Sequence, residues 1–324
     1  MKKITQAIIG GALGAALFVL PTMAQQPFPS KPVTVVVPYT PNPGGVDGQA
    51  RFFAQFLEKH WKVPVIVENK PGAGSALGAE FVSRAAPDGY TFLAIGASIS
   101  QLKYLQKMNW DPDKDLIPVS NVSEFITLIV TNKQMGVKNW AEFVAKVKID
   151  ASKYNYGAVG RSTTMLGAEA MLHSAGVKMT MIPYPGQSQY LQALLTNDVQ
   201  LAAVSLTGAQ QHMNTGDLVA LGVFSNERVP LIPDIPSTVG DLKAPLAKSF
   251  AWVGIFYPKG TPKALVDKLA EASAAYRKDP DAIALAQKAQ VYLVGSSAAE
   301  FQKTYETDSK AWGEMTRIVG LVPE

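Results

Sequence analysis

The chain has 324 residues, 47% of them hydrophobic and 17% charged, with a formal charge of +4 and no cysteine. The low charged fraction excludes a disordered chain, and the missing Cys excludes disulfides, thiolate nucleophiles and Cys-based metal sites. So small a net charge implies no nucleic acid or anionic membrane as partner.

Lys2 and Lys3 precede an uncharged, mostly apolar run from Ile4 to Leu20, and Pro21-Thr22-Met23-Ala24 follows. A positive start, an apolar stretch and small residues before Gln25 predict a secretory signal peptide over 1–24. The competing reading is a membrane anchor, but the run barely reaches the ~20 residues a span needs. A lipid anchor would require a Cys. The mature chain is therefore expected to be exported.

After this segment short β-branched runs alternate with helical periodicity. Val33 to Val37 reads as a buried parallel strand ending at Pro38. Beyond the turn at Pro41-Asn42-Pro43-Gly44-Gly45, residues Ala50, Phe53, Ala54 and Leu57 mark an amphipathic helix, with Asp47 as its expected N-cap. Val63 to Val67 is a second strand, Ser75 to Ala85 a helix facing inward through Leu77, Phe81 and Ala85, and Thr91 to Ile95 a third strand. A second series follows: strand Tyr154 to Val159, a helix through Ala168, Met171 and Leu172, strand Met181 to Tyr184, a helix through Leu191 and Leu194, and strand Val199 to Ser205. Trp252 to Phe256 is one more strand. Two helical stripes follow it, Leu265-Leu269-Ala272-Tyr276 and Phe301-Tyr305-Trp312-Met315.

This alternation predicts an α/β protein in which mainly parallel sheets carry helices on both faces. Two βα series predict two lobes, 25–121 with 225–324 and 122–224. The apolar segments Ile117 to Val130 and Leu218 to Phe224 would cross between them and allow hinging.

Two corners could carry chemistry. Tyr39 to Asp47 lies where a strand ends and a helix begins, the position at which open α/β sheets bind ligands. There the free N–H groups and the positive helix end attract an anion, and Gly44 and Gly45 let a ligand approach the main chain; a purely structural turn is the alternative. Gly160-Arg161-Ser162-Thr163-Thr164 occupies the same place in the second series. Ser162 and Thr163 can cap a helix or donate to a carboxylate, and Arg161 either forks onto a carboxylate or lies solvated. Tyr39, Tyr184 and Trp252 sit at strand ends, where they either stack on a ligand or pack in the core. The histidines, His60, His173 and His212, lack metal-site spacing, and no G-x-S-x-G elbow occurs.

Several segments, in this order and spacing, resemble the periplasmic receptors of tripartite tricarboxylate transporters, the Bug receptors. They are Phe28-Pro29-Ser30-Lys31-Pro32-Val33, Val67-Glu68-Asn69-Lys70-Pro71-Gly72-Ala73-Gly74, Ala85-Ala86-Pro87-Asp88-Gly89-Tyr90-Thr91, Asn155-Tyr156-Gly157-Ala158 and Pro258-Lys259-Gly260-Thr261-Pro262. The resemblance implies a two-lobed type II periplasmic-binding-protein fold that closes on a small organic carboxylate, a dicarboxylate or an aromatic acid. It implies delivery to membrane transporter components by a monomer without cofactor, metal or catalysis. A co-receptor for a membrane sensor kinase is the alternative, and an exported enzyme the more distant one.

Carried over, the site comprises Tyr39, Thr40, Gly44, Gly45, Val46, Asp47, Ala97, Ser98, Gly160, Arg161, Ser162, Thr163, Thr164, Tyr184, Gly186, Ser205 and Thr207. The chain departs from the family pattern at Asn42-Pro43, which is extra. It also departs at Arg161, where a small or amide residue is usual, and at Ser205, where an acid or amide is common. Arg161 and the missing acid together favour a ligand with a second negative charge.

Overall fold

The computed structural model describes residues 28–42, 45–160, 162–229, 231–247, 251–318 and 320. The expected signal peptide therefore lies outside the described residues, as do Gly44 and Arg161. The chain runs β1 (Val33–Val37), α1 (Val46–Trp61), β2 (Val65–Asn69), α2 (Ala76–Ser83), β3 (Thr91–Gly96), α3 (Leu102–Leu105), α4 (Pro112–Asp115), β4 (Leu116–Phe125) and β5 (Thr127–Asn132). It continues through α5 (Trp140–Ile149), β6 (Asn155–Ala158), α6 (Thr163–Ser174), β7 (Thr180–Pro183), α7 (Gln187–Leu195), β8 (Leu201–Ser205), α8 (Leu206–Asn214) and β9 (Leu218–Val223). The last part holds β10 (Trp252–Pro258), α9 (Lys263–Tyr276), α10 (Pro280–Ala289), β11 (Val291–Leu293) and α11 (Ala298–Ile318).

The strands form two sheets, ordered β11-β4-β10-β3-β1-β2 and β7-β6-β8-β5-β9. Parallel pairing is confined to β1 with β2 and β3, and to β6 with β7 and β8. The remaining pairs are antiparallel, so both sheets are mixed rather than mainly parallel. The antiparallel pairs all involve the crossing chain or β10 beside it: β4 and β5, one in each sheet and separated by a single residue, pair antiparallel with every strand beside them.

β1 is buried along its length because both of its faces are covered. Val33, Val35 and Val37 join Phe53, Leu57 and Tyr276 on one side, while Val36 joins Ala79, Leu93 and Trp312 on the other. The α11 stripe Phe301, Tyr305, Trp312 and Met315 is buried as its spacing predicts.

The inward face of α2 is not the predicted one. Leu77 and Phe81 point outward, 54% and 47% exposed, and Ala76, Ala79 and Val82 are buried instead. The helix lies so close to β1 that a Cβ at Gly78 would come within 2.8 Å of Pro38 and of the Lys70 carbonyl. Only small side chains fit that face. Asp47 also differs from its expected place: Gly45 is the α1 N-cap, and Asp47 sits within the first turn.

The chain passes from the first sheet to the second at Ile126, the one residue between β4 and β5, and returns between β9 and β10. The two passages lie side by side. Phe224 N–H donates to the Thr127 carbonyl (2.9 Å), and Phe125 N–H to that of Ala251 (2.8 Å).

Candidate binding site

A cleft of about 1030 Å³ opens between the two sheets, bordered by the ends of β1, β3 and β8 and by the helix starts that follow. The first turns of α1, α6, α7 and α8 all reach it, through Gly45-Val46, Ser162-Thr163, Gly186-Gln187 and Ser205-Thr207. Each helix start presents partial positive charge and N–H groups that the helix leaves unused. Gly45 and Gly186 cap α1 and α7 without any side-chain bond.

The first wall is organised by Tyr39. Its hydroxyl pairs with Ser98 Oγ (2.7 Å) and accepts from Gly96 N–H (3.2 Å), while Ser98 Oγ also pairs with Ser75 Oγ (3.1 Å). Burial pushes the Tyr39 phenol up from its ordinary pKa, only partly opposed by these bonds, so it stays a neutral donor. Space at Gly96 is tight: a Cβ would sit 3.3 Å from both Tyr39 Oη and Val46 Cγ2, so one of them would have to shift by a few tenths of an ångström.

Asp47 does not line the cleft. Its buried carboxylate accepts from Asn42 N–H (3.1 Å), Arg51 Nε (3.0 Å) and Nη2 (3.1 Å), and Asn69 Nδ2 (2.7 Å). Burial raises its pKa, but the Arg51 guanidinium, the Asn69 amide and the Asn42 N–H outweigh this and hold it below the usual carboxylate range. It fixes the loop before α1 to the end of β2.

On the second wall Ser162 caps α6 by accepting from Met165 N–H (3.2 Å), donates to the Val159 carbonyl (2.6 Å) and meets Thr164 Oγ1 (2.8 Å). Ser205 caps α8 by accepting from Gly208 N–H (3.3 Å). Gln187 ties the starts of α7 and α8 together: its Nε2 donates to Ser205 Oγ (2.9 Å) and its Oε1 accepts from Ser205 N–H (3.1 Å).

Of the residues expected from sequence, Tyr39, Thr40, Gly45, Val46, Ala97, Ser98, Gly160, Ser162, Thr163, Thr164, Gly186, Ser205 and Thr207 line this one cleft. Tyr184 does not: it is half-buried against the hydrophobic cluster behind the second sheet. Trp252 borders the cleft but is 2% exposed. Its ring is edge-on to Phe301 and its Nε1 donates to Asp308 Oδ2 (2.7 Å), which makes it a core residue and not a stacking wall.

Sequence reasoning missed Ser75, Gln101, Thr127, Gln187, Ser188 and Gln189, all of which line the cleft. Gln187 to Gln189 follow the Gly186 turn directly, and the helix-start argument used for Ser162 applies equally to them. Gln101 carries no such mark. His60 and His173 are exposed, and no cluster of metal-ligating side chains occurs among the described residues. Nor does any described helix have the length and apolarity to cross a membrane.

The model of the tripartite tricarboxylate transporter family receptor matches residues 49–321. A Cupriavidus necator protein described as "UPF0065 protein in gbd 5'region" is 35% identical over 272 residues, 83% of this chain and 82% of that one. The solved periplasmic binding protein BugD superposes with a TM-score of 0.77 at 29% identity, covering 92% of this chain and all of its own. MatC of Rhodopseudomonas palustris, solved with bound malate, gives a TM-score of 0.74 at 27% identity, covering 89% of this chain and 99% of that one. The fold is thus the two-lobed α/β fold of periplasmic binding proteins, and the chain belongs to the family of tripartite tricarboxylate transporter receptors.

Proposed function

We propose that this chain is a periplasmic receptor that closes two lobes on a small organic carboxylate and delivers it to the membrane components of a tripartite tricarboxylate transporter. The observation that carries this reading is the meeting of four helix starts on one hydroxyl- and amide-lined cleft. That arrangement suits an anion and needs no catalytic group. The malate in the related MatC supports a dicarboxylate.

In this reading the lobes follow the two sheets, and the boundaries expected at 121/122 and 224/225 shift: Val122–Phe125 stay with β4 in the first lobe, and the segment after Phe224, whose Pro236 and Thr238 bond Val223, stays with the second. The lobes hinge where the chain passes at Ile126 and returns after Val223. The acid docks first on the Tyr39–Val46 loop, which Asp47 holds in shape. The second lobe then closes and brings Arg161, Ser162, Thr163 and Thr164, with Arg161 taking the ligand's second carboxylate. Closure excludes water, so each charge-assisted hydrogen bond contributes about 1.5–3 kcal/mol. Two or three of them, offset by the ordering cost, suit a micromolar Kd, about −8 kcal/mol. Export through a cleaved 1–24 segment and action as a monomer belong to the same proposal.

A thermal-shift screen against mono-, di- and tricarboxylates, aliphatic and aromatic, tests it. A ligand at a hundred times its Kd adds about 2.7 kcal/mol of stability. If no acid moves the midpoint, the receptor reading fails. If an acid that binds is recovered chemically altered, the protein is an enzyme instead.

A further inference from the structure

The turn between β2 and α2 is bent in a way that side chains oppose. Gly72, Ala73, Gly74 and Ser75 all have positive φ, 136°, 45°, 59° and 86°. Glycine takes such angles freely, but Ala73 and Ser75 take them only under constraint, and residues held this way persist only where their surroundings over-determine them. The constraints are visible. Ser75 N–H donates to the Gly72 carbonyl (3.0 Å) and closes the turn. Gln106, just after α3, lies over Gly74, where a Cβ would come within 2.9 Å of its Nε2, and that Nε2 donates to the Ala73 carbonyl (2.9 Å). Leu77 lies over Gly72, where a Cβ would come within 2.5 Å of its Cδ1. Ser75 Oγ pairs with Ser98 Oγ (3.1 Å), and Ser98 Oγ with Tyr39 Oη (2.7 Å).

Backbone strain clusters at binding sites, where a shape has to exist before the ligand arrives. Gly72, Gly74, Ser75 and Gln106 all border the cleft, and Ser75 passes the position of the turn on to Ser98 and Tyr39 in the first wall. We propose that Gln106 is a positioning residue: by holding the Ala73 carbonyl it keeps the strained turn, and through Ser75 the Ser98–Tyr39 pair, in the shape that receives the acid. The proposal rests on the carboxylate-receptor reading above. A released turn samples other shapes, and a receptor competent for only part of the time binds every acid more weakly by the same factor.

The test is calorimetry with thermal melts on the full exported chain, with malate, succinate, adipate, citrate and benzoate as probes. Ala73→Gly removes the steric cost and frees the turn. The ligand-free Tm stays or rises, while Kd rises about threefold or more for every acid that binds. Gln106→Met keeps the bulk and loses the donor. It raises Kd by one common factor across the acids, and it adds little in the Ala73→Gly background, where the turn is already free. A turn that serves stability alone would lower Tm on release and leave Kd within about twofold, and that result overturns the proposal. So does a Gln106→Met effect that differs from acid to acid, which would mean direct contact with the ligand. Should Gln106→Met not fold, the opposite movements of Tm and affinity in Ala73→Gly decide alone. If acids bind and both variants bind them as well as the wild type, only this inference falls; if none binds the wild type, the receptor reading falls with it.

Discussion

Asp47 tests how the cleft is held in shape. One carboxylate ties the loop before α1 to Arg51 on α1 and to Asn69 at the end of β2. Asp47→Asn keeps the volume, removes the charge and turns an NH2 group toward neighbours that are themselves donors. Charge-assisted bonds contribute about 1.5–3 kcal/mol each, but bonds sharing one acceptor group do not add. Arg51 is 43% exposed and regains water when its partner goes. The expected loss is therefore about 2–3 kcal/mol, or a Tm lower by roughly 4–8 °C. The sign of the binding change is the decisive readout. A carboxylate facing an anionic ligand repels it, and its removal would tighten binding. A carboxylate that only shapes the loop, as placed here, loosens binding on removal, by about tenfold when the helix-start N–H groups lose alignment. Calorimetry with the acid that shifts the wild-type midpoint reads this directly. Unchanged or tighter binding in a destabilised Asp47→Asn protein would refute the positioning role.

Gly160 lines the cleft, and a Cβ there meets no atom of the other described residues beyond its chain neighbours within 4 Å. Gly160→Trp should abolish binding while leaving the Tm within about 2 °C, since it adds bulk to open space and not to the core; retained affinity would place the ligand elsewhere. Arg161→Ala should weaken dicarboxylates by tenfold or more and monocarboxylates far less, and a fall of less than about threefold in calorimetry would remove Arg161 from the site. Stability should also fall in acid. Because the folded Asp47 pKa is depressed, its contribution is present above the unfolded value of about 3.9 and is lost as pH drops through the folded value. Urea midpoints measured from pH 7 to pH 3 should decline below about pH 4, and Asp47→Asn should flatten that decline.

What was legible in the sequence follows a physical division. β1 and the α11 stripe could be read because burial on both faces, or along one helical face, leaves a period that no neighbour needs to supply. The α2 face could not, because the choice between Leu77-Phe81 and Ala76-Ala79 is decided by the approach of Gly78 to Pro38, a contact 40 residues away in the chain. Asp47 looked like a cap by type and position. Only the fold brings Asn69 and Arg51 to it and turns it into a brace.

The same division runs through the cleft. Its anion-attracting part is main chain at helix starts, and helix starts are marked by glycine turns and capping serines such as Gly45, Ser162, Gly186 and Ser205. Its side-chain amides are less legible: Gln187 braces two helices against each other, and Gln101 borders the cleft. Neither lies on a period or in a motif. On the receptor reading proposed above, this sequence therefore points to an acid before it reveals which one, because the charge is assigned to backbone at helix starts. The rest of the ligand is met by a few side chains whose meaning exists only once the walls have come together.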